Sequence, residues 1–303
     1  MFAKSTYWVA GHITGLFEIH IKSNNILQQG SRGAGFCINR GVKTSVRKEE
    51  KNDNLKIFFN DLEIHPSEAI VTKKIIEKIV PSSIIDELTI HHDFEIPIGS
   101  GYGASAAGAV GLAFALNNIM KNPLTEENLW SVAHESEIEC GSGLGDISGL
   151  YQGGTEIRIS SGAPGIGETT SFKSLDTSDN LITINLGKLS TVDIIFSKEK
   201  QNVISKTGKK FLDSLSSDSS FEKFIELSNK FTLEVKLYSN HLINLIDNLS
   251  KLSIKSAQIM LGEGLFFIIP KNKNINNIMS NFSISDSQWS LETICKNTVQ
   301  KRE

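Results

Sequence analysis

Polar and apolar positions alternate through the first part of the chain. Residues 2–22 follow this period of two, carry β-branched and aromatic residues, and predict two strands broken near Gly11. "GAGFCINRGVKTSVRK" predicts another strand pair around Gly41, and "NLKIFFND" a short strand. The period then changes. "SEAIVTKKIIEKIV" has apolar residues at helical spacing and stops at Pro81. "ELTIHHDFEIP" alternates again and runs as a strand into a glycine-rich loop. Helices are predicted over Ala104–Met120 and Thr125–Cys140, the second with Thr125 as N-cap and acidic residues in its first turn. "GSGLGDISGLYQGG" is a second glycine-rich segment, and "TEIRIS" a strand.

Residues 160–180 are rich in Gly, Ser, Thr and Asp and read as a hinge between lobes. Beyond it the pattern predicts strands near 181–187 and 191–197, and helices near 208–215, 219–238 and 240–250. "SAQIMLGEGLFFIIP" reads as a hairpin, followed by a helix near 272–280 and a last strand near 284–291. Strands and helices interleave without the regular alternation of a doubly wound sheet, which predicts an α+β fold.

Bulk properties narrow the function. The 303 residues carry a net charge of −3 and no basic tract, which argues against a nucleic-acid or membrane partner. Cys37, Cys140 and Cys295 stand far apart, with neither metal spacing nor a disulfide framework, so a reducing, cytoplasmic compartment is expected. The first residues have no apolar core with a cleavage site, so no signal peptide is expected. The longest uncharged apolar run, Gly103 to Leu116, is too short for a bilayer, which needs about 20 residues.

Chemistry concentrates at "EIPIGSGYGASAAGAVGLAFAL", Glu95 to Leu116. Gly99, Gly101 and Gly103 permit positive φ immediately before a helix of small residues. Free N–H groups and the positive end of the helix dipole converge at such a junction and suit an anion; a tight turn before a buried helix is the plainer reading. The P-loop pattern is absent, because "TGKK" at 207–210 lacks the upstream glycine. The relaxed dinucleotide pattern matches at Gly99, Gly101 and Ala104, but the preceding strand is polar and no acidic strand end follows about 20 residues later.

Pro97 to Ala107, "PIGSGYGASAA", resembles the central motif of the GHMP small-molecule kinases, with Tyr102 for the usual Leu, Ala104 for the first Ser, and Ser105 retained. "VAGHITGLFEIH" from Val9 resembles the first motif of that superfamily, with Ala10 for Pro and His12 where many relatives have Lys. "GSRGAGFCINRGV" at 30–42 and "GLGD" at 143–146 are most similar to the archaeal pantoate kinases. The resemblance is strong over 9–158 and weak after 165, where "AQIMLGEGLFFIIP" keeps only Met-Leu-Gly of the third motif.

The resemblance implies a two-lobed fold, with an ATP-binding lobe at 1–165 and a C-terminal lobe at 166–303. It implies ATP and Mg²⁺ as cofactors and phosphorylation of the primary hydroxyl of pantoate to 4-phosphopantoate, a step toward coenzyme A. Related kinases are often dimers, so a homodimer is compatible. The loop Pro97, Gly99, Ser100, Gly101, Tyr102, Gly103, Ala104, Ser105 and Ala106 would wrap the phosphates. The alternatives are another kinase of the superfamily, for mevalonate or homoserine, and a non-catalytic sensor on the same fold.

"AHESEIECGSGLGD" supplies the acidic groups. Phosphoryl transfer asks mainly for positioning and charge stabilisation. His134 and Glu137 lie three apart and share a helix face. Glu137 is expected to hold Mg²⁺ with Ser105; Glu135 is its rival, and Glu139 reads as a solvated position. Asp146 by itself would cap the next helix, while the family context makes it the base or the orienter of the substrate hydroxyl. Arg158 suits the pantoate carboxylate, with Arg32 as the alternative cation. Ser31, His134 and His12 complete the expected substrate side. The remaining histidines, His20, His65, His91, His92 and His241, read as ordinary surface or strand residues.

Overall fold

In a computed structural model describing residues 3–49, 54–189 and 197–303, β1 (Ala3–His20) and β2 (Gly30–Lys48) run antiparallel from Ala3↔Lys48 to His20↔Gly30. Each was expected as two strands. The chain keeps both continuous and absorbs the breaks in alternation as register shifts at Ala10/Gly11 and Thr14/Leu16. A slip in the period of two marks a bulge here and no turn. Gly41 is required at the first irregularity, since a Cβ there would stand 1.9 Å from the Val9 carbonyl oxygen.

The first sheet has the order β12-β1-β2-β5-β3-β4, with β6 attached to β2 and β7 to β6. These strands are β3 (Lys56–Phe59), β4 (Leu62–Ile64), β5 (Leu88–Phe94), β6 (Thr155–Arg158), β7 (Thr169–Thr170) and β12 (Val299–Arg302). On the edge away from β1, β2 serves two further neighbours: Gly33–Phe36 pair with β6, and Val42–Lys48 pair with β5. That split brings β6, with Glu156 and Arg158, against the glycine-rich half of β2.

α1 (Ile70–Ile79), α2 (Ala104–Ile119) and α3 (Glu126–Cys140) cover this sheet, α2 lying on β1 and β2 with the other two beside it. Small residues let α2 approach closely: a Cβ on Gly111 would come within 2.9 Å of Thr44 Oγ1. The Thr125 hydroxyl accepts from the Asn128 N–H, as the cap pattern predicted. The second glycine segment holds the short helix that a capping Asp146 implied, α4 (Asp146–Gln152), with Gly145 at its N-cap. Gly and Ser are weak helix formers, and burial of Ile147 and Leu150 supplies the stabilisation that propensity does not.

The second sheet, β11-β8-β10-β9, comprises β8 (Asp179–Lys188), β9 (Ser256–Gln258), β10 (Gly262–Pro270) and β11 (Trp289–Glu292). Its helices are α5 (Lys198–Leu212), α6 (Phe221–Val235), α7 (Asn240–Lys251) and α8 (Ile275–Ser280). α5 starts ten residues earlier than the pattern suggested, because its first turn, capped by Ser197, is polar all round. The strand expected near 191–197 falls, apart from Ser197, outside the described residues.

The lobes do not part cleanly at residue 165. β7 and β12 lie beyond it yet extend the first sheet, and α5 packs on β1. One core spans this division, with Phe36 of β2 against Phe221, Phe224 and Phe266. A smaller core sits under α7 and α8, where Leu245 and Leu249 meet Leu265 and Phe267.

Candidate active site

The loop between β5 and α2 has three glycines in the left-handed region, Gly99 (φ 74), Gly101 (φ 81) and Gly103 (φ 67). Side chains are excluded on contact grounds too: a Cβ on Gly101 would sit 2.6 Å from the Met260 carbonyl oxygen. Gly103 is the N-cap of α2 and offers no capping side chain, so the first N–H groups of α2 have no side-chain partner from it. An anion is favoured there by those donors and by the helix dipole. The loop is pinned from below, the His12 N–H donating to the Tyr102 carbonyl at 3.0 Å. Tyr102 is buried, so the family's Leu position is filled by another core side chain.

A cleft of about 660 Å³ opens over this loop. Gly99, Gly101, Tyr102, Gly103, Ala104 and Ser105 line it, together with Ser31, Asp146 and Arg158. Pro97, Ser100 and Ala106 do not. Ala106 turns into the core, and Ser100 is buried with its carbonyl against Gly262, 2.0 Å from where a Cβ would stand. A second, mostly apolar cleft of about 1040 Å³ shares Gly99, Ala104, Ser105 and Ser142 with the first and is walled by Phe59, Ile70, Phe94 and Ile98. Its walls read in the sequence as ordinary strand and helix positions, so no local signal marks it.

Ser105 at the start of α2 donates to Glu137 Oε1 at 2.5 Å. Glu137 is 2% exposed. Burial raises its pKa to about 7, Asp146 adding to the rise and the Ser105 hydroxyl opposing it. Gly143 separates the two carboxylates: a Cβ there would lie 2.3 Å from Glu137 Oε2 and 3.7 Å from Asp146 Oδ2. Residues two apart on a helix project about 200° from one another, so Glu135 and Glu139 face away. Both pair with Lys78, at 2.9 and 3.0 Å. The metal rival Glu135 is therefore remote from Ser105.

Asp146 opens α4, but its side chain does not cap the helix. Its Oδ1 accepts from His12 Nδ1 at 2.8 Å, and its side chain is 28% exposed. His12 departs from its expected place on the substrate side. It is fully buried, and its Nε2 reaches Glu156 Oε1 at 3.1 Å. Burial would push the imidazole down, but the Asp146 and Glu156 carboxylates outweigh it and raise its pKa. An imidazolium satisfies this geometry, because both partners are acceptors. His134 also departs from expectation. It is 1% exposed, and its Nε2–H donates to the Gln29 carbonyl at 3.0 Å, propping the start of β2 away from the cleft. Burial pushes its pKa down.

Arg158 lines the cleft wall, although it is 1% exposed. Its Nη1 donates to Glu156 Oε1 and its Nη2 reaches Thr14 Oγ1 at 3.4 Å, while Nε has no hydrogen-bond partner among the described residues. Ser31 lies close by: a Cβ on Gly145 would stand 2.3 Å from Ser31 Oγ and 2.7 Å from Arg158 Nε. Arg32, next along β2, projects to the other face and is held by Glu18 and Asp213. It does not line the cleft. Glu156, which the sequence reading passed over, proves to join His12 to Arg158. Alternation along "TEIRIS" places 156 and 158 on one face and is the only local trace of that link.

Residues 69–154 match the GHMP kinases N terminal domain. A solved structure described as a phosphotransferase related to the CoA biosynthesis pathway superposes with a TM-score of 0.87 at 27% identity, covering 99% of both chains. The chain belongs to the GHMP kinases. Among the relatives it resembles are three pantoate kinases and, over 41% of this chain, a homoserine kinase. The pantoate kinase of Methanocaldococcus jannaschii is 35% identical, over 86% of this chain and 91% of the relative, and that of Thermococcus kodakarensis 32% identical over 86% of each.

Proposed function

We propose that this chain transfers the γ-phosphoryl group of ATP to the primary hydroxyl of pantoate, giving 4-phosphopantoate on a route to coenzyme A. The observation that carries the reading is the gathering of Ser105, Asp146 and Arg158 on one glycine-loop cleft, with Glu137 behind Ser105, in a chain similar to pantoate kinases over 86% of its length. The apolar cleft beside it suits a purine, and its shared wall at Gly99 and Ala104 leads to the loop N–H groups for the phosphates.

Mg²⁺ fits the Ser105–Glu137 pair. Magnesium needs one or two carboxylates beside phosphate and water oxygens, and Glu137 is a buried carboxyl group with no cationic partner among the described residues. Bound there, Mg²⁺ would compensate the charge of the phosphates. Asp146 keeps Oδ1 on His12, which leaves Oδ2 to orient the substrate hydroxyl and take its proton. Arg158 Nε and Nη2, with the Ser31 hydroxyl, are the donors for the pantoate carboxylate.

Product formation from ATP with pantoate, mevalonate or homoserine, read by mass spectrometry, tests this. Phosphopantoate alone is the expected product. Turnover confined to another alcohol would reassign the substrate, and ATP binding without turnover on any of the three would favour a sensor.

A further inference from the structure

Asp146 is the exposed end of a buried chain of charged groups. His12 lies between Asp146 Oδ1, at 2.8 Å, and Glu156 Oε1, at 3.1 Å, and Arg158 Nη1 donates to that same Glu156 oxygen. The His12 and Glu156 side chains are fully buried and that of Arg158 is 1% exposed. Acceptors and donors alternate along it: the Asp146 carboxyl, the His12 ring, the Glu156 carboxyl and the Arg158 guanidinium. Burying such groups is costly, and apolar residues of similar volume often serve stability as well or better. Stability alone therefore does not account for the chain.

The backbone is also cut to fit it. A Cβ on Gly33 would meet Arg158 Nη2 at 2.0 Å, one on Gly35 would meet Glu156 Oε1 at 2.9 Å and His12 Nε2 at 3.0 Å, and one on Gly149 would meet His12 Nε2 at 2.3 Å. Glycines from β2 and α4 thus leave room for the same three side chains. The ends of the chain are the two groups that line the cleft, Asp146 and Arg158.

We propose that Glu156 is a positioning residue. Acting through His12, it holds Asp146 with Oδ1 engaged and Oδ2 free for the substrate hydroxyl. Through the same oxygen it holds Arg158 at the opposite end of the substrate. One buried carboxylate so fixes the distance between the group that handles the hydroxyl and the group that handles the acid. This rests on the reading of Asp146 as the group that takes the hydroxyl proton.

The test is a kinetic cycle with Glu156→Gln, which keeps shape and an acceptor but removes the charge. Expected is a loss of kcat of about ten- to a hundredfold, the size that a small misplacement of a reacting group produces, with the ATP KM unchanged. In the Asp146→Asn background the same change should lower kcat less than twofold further, because the group being positioned has lost its role. Equal losses in both backgrounds would mean general damage and overturn the proposal, as would a wild-type kcat in Glu156→Gln. Should Glu156→Gln not fold, His12→Asn and His12→Gln carry the test. Asn places its amide near Nδ1 and keeps Asp146; Gln reaches the place of Nε2 and keeps only Glu156. The Asn variant must then retain the higher kcat, and the reverse order refutes positioning. Wild-type kcat in Asp146→Asn sinks the underlying reading and this proposal together, whereas an impaired Asp146→Asn beside a normal Glu156→Gln sinks the proposal alone.

Discussion

Replacing Glu137 by Gln should stabilise the protein at alkaline pH while abolishing its turnover. The carboxyl titrates at about 7 in the folded chain, against an ordinary 4.5, mainly because it is buried. The folded state therefore prefers the neutral form and binds the proton more tightly than the unfolded chain. Stability from this group is fully present below pH 4.5 and is lost as pH rises through 7. A difference of that size is worth about 3 kcal/mol at pH 8, at roughly 1.4 kcal/mol for each pH unit. About 0.8 kcal/mol has already gone at pH 5, so the advantage of Glu137→Gln should grow by about 2.5 kcal/mol between pH 5 and pH 8. For a protein of this size that is about 5 °C in melting temperature. Gln keeps an oxygen to accept from Ser105, so little else changes. Denaturation of both proteins at pH 5, 6.5 and 8, without nucleotide or magnesium, reads the effect, and other titrating groups cancel in the difference. Adding Mg·ATP at pH 8 should then raise the wild type more than the variant. A Glu137→Gln advantage that stays flat or shrinks toward pH 8 would refute the buried-charge argument, and with it the physical case for a cation at this position.

Three further outcomes are expected. Asp146→Asn should lower kcat about 10²–10⁴-fold while both substrates still bind; since Asp146 does not cap α4 through its side chain, a near-normal kcat would remove it from the reaction. Arg158→Lys keeps a cation for Glu156 but loses the guanidinium fork, so the pantoate KM should rise about ten- to a hundredfold with the ATP KM unmoved, the effect of losing about 1.5–3 kcal/mol of charge-assisted hydrogen bonding; an effect confined to ATP would place Arg158 on the nucleotide side. His92 is fully buried between Thr44 and Thr72, and burial lowers its pKa to about 4, so the unfolded chain takes up the proton first and stability falls as pH drops from 6.5 toward 4. His92→Gln should remove about 1.4 kcal/mol per pH unit of that acid slope, and an unchanged slope in urea denaturation would locate the acid sensitivity elsewhere.

Local chemistry was legible where one segment contains its own signal. Thr125 caps α3 as its side chain and its acidic followers indicated, and the glycines before α2 adopt the left-handed backbone that their spacing suggested. The choice of Glu137 over Glu135 agrees with a helix turned so that Ser105 meets the former and Lys78 the latter. Long-range partners were not legible. His12 reads as a substrate-side residue because nothing near it in sequence says that Asp146 and Glu156, more than 130 residues away, will occupy both ring nitrogens. His134 misled for the same reason, its partner being the backbone of Gln29. Gly33 and Gly35 read as ordinary strand positions, yet the space beside them is taken by Arg158 in the first case and by the Ile13 backbone with Glu156 and His12 in the second. Breaks in alternation at Gly11 and Gly41 could not tell a bulge from a turn without the partner strand in view.

One of the two neighbours of β1 is β12, which lies nearly the whole described chain away in sequence. Thr6–Val9 pair with Val299–Arg302, and the Ala10 N–H donates to the carbonyl of Thr298. Translation proceeds at about 5–20 residues per second, so this edge stays bare for tens of seconds after β1 is made. An uncovered edge strand is a template for pairing with another chain. This edge of β1 therefore needs shelter until β12 has been made and has docked on it.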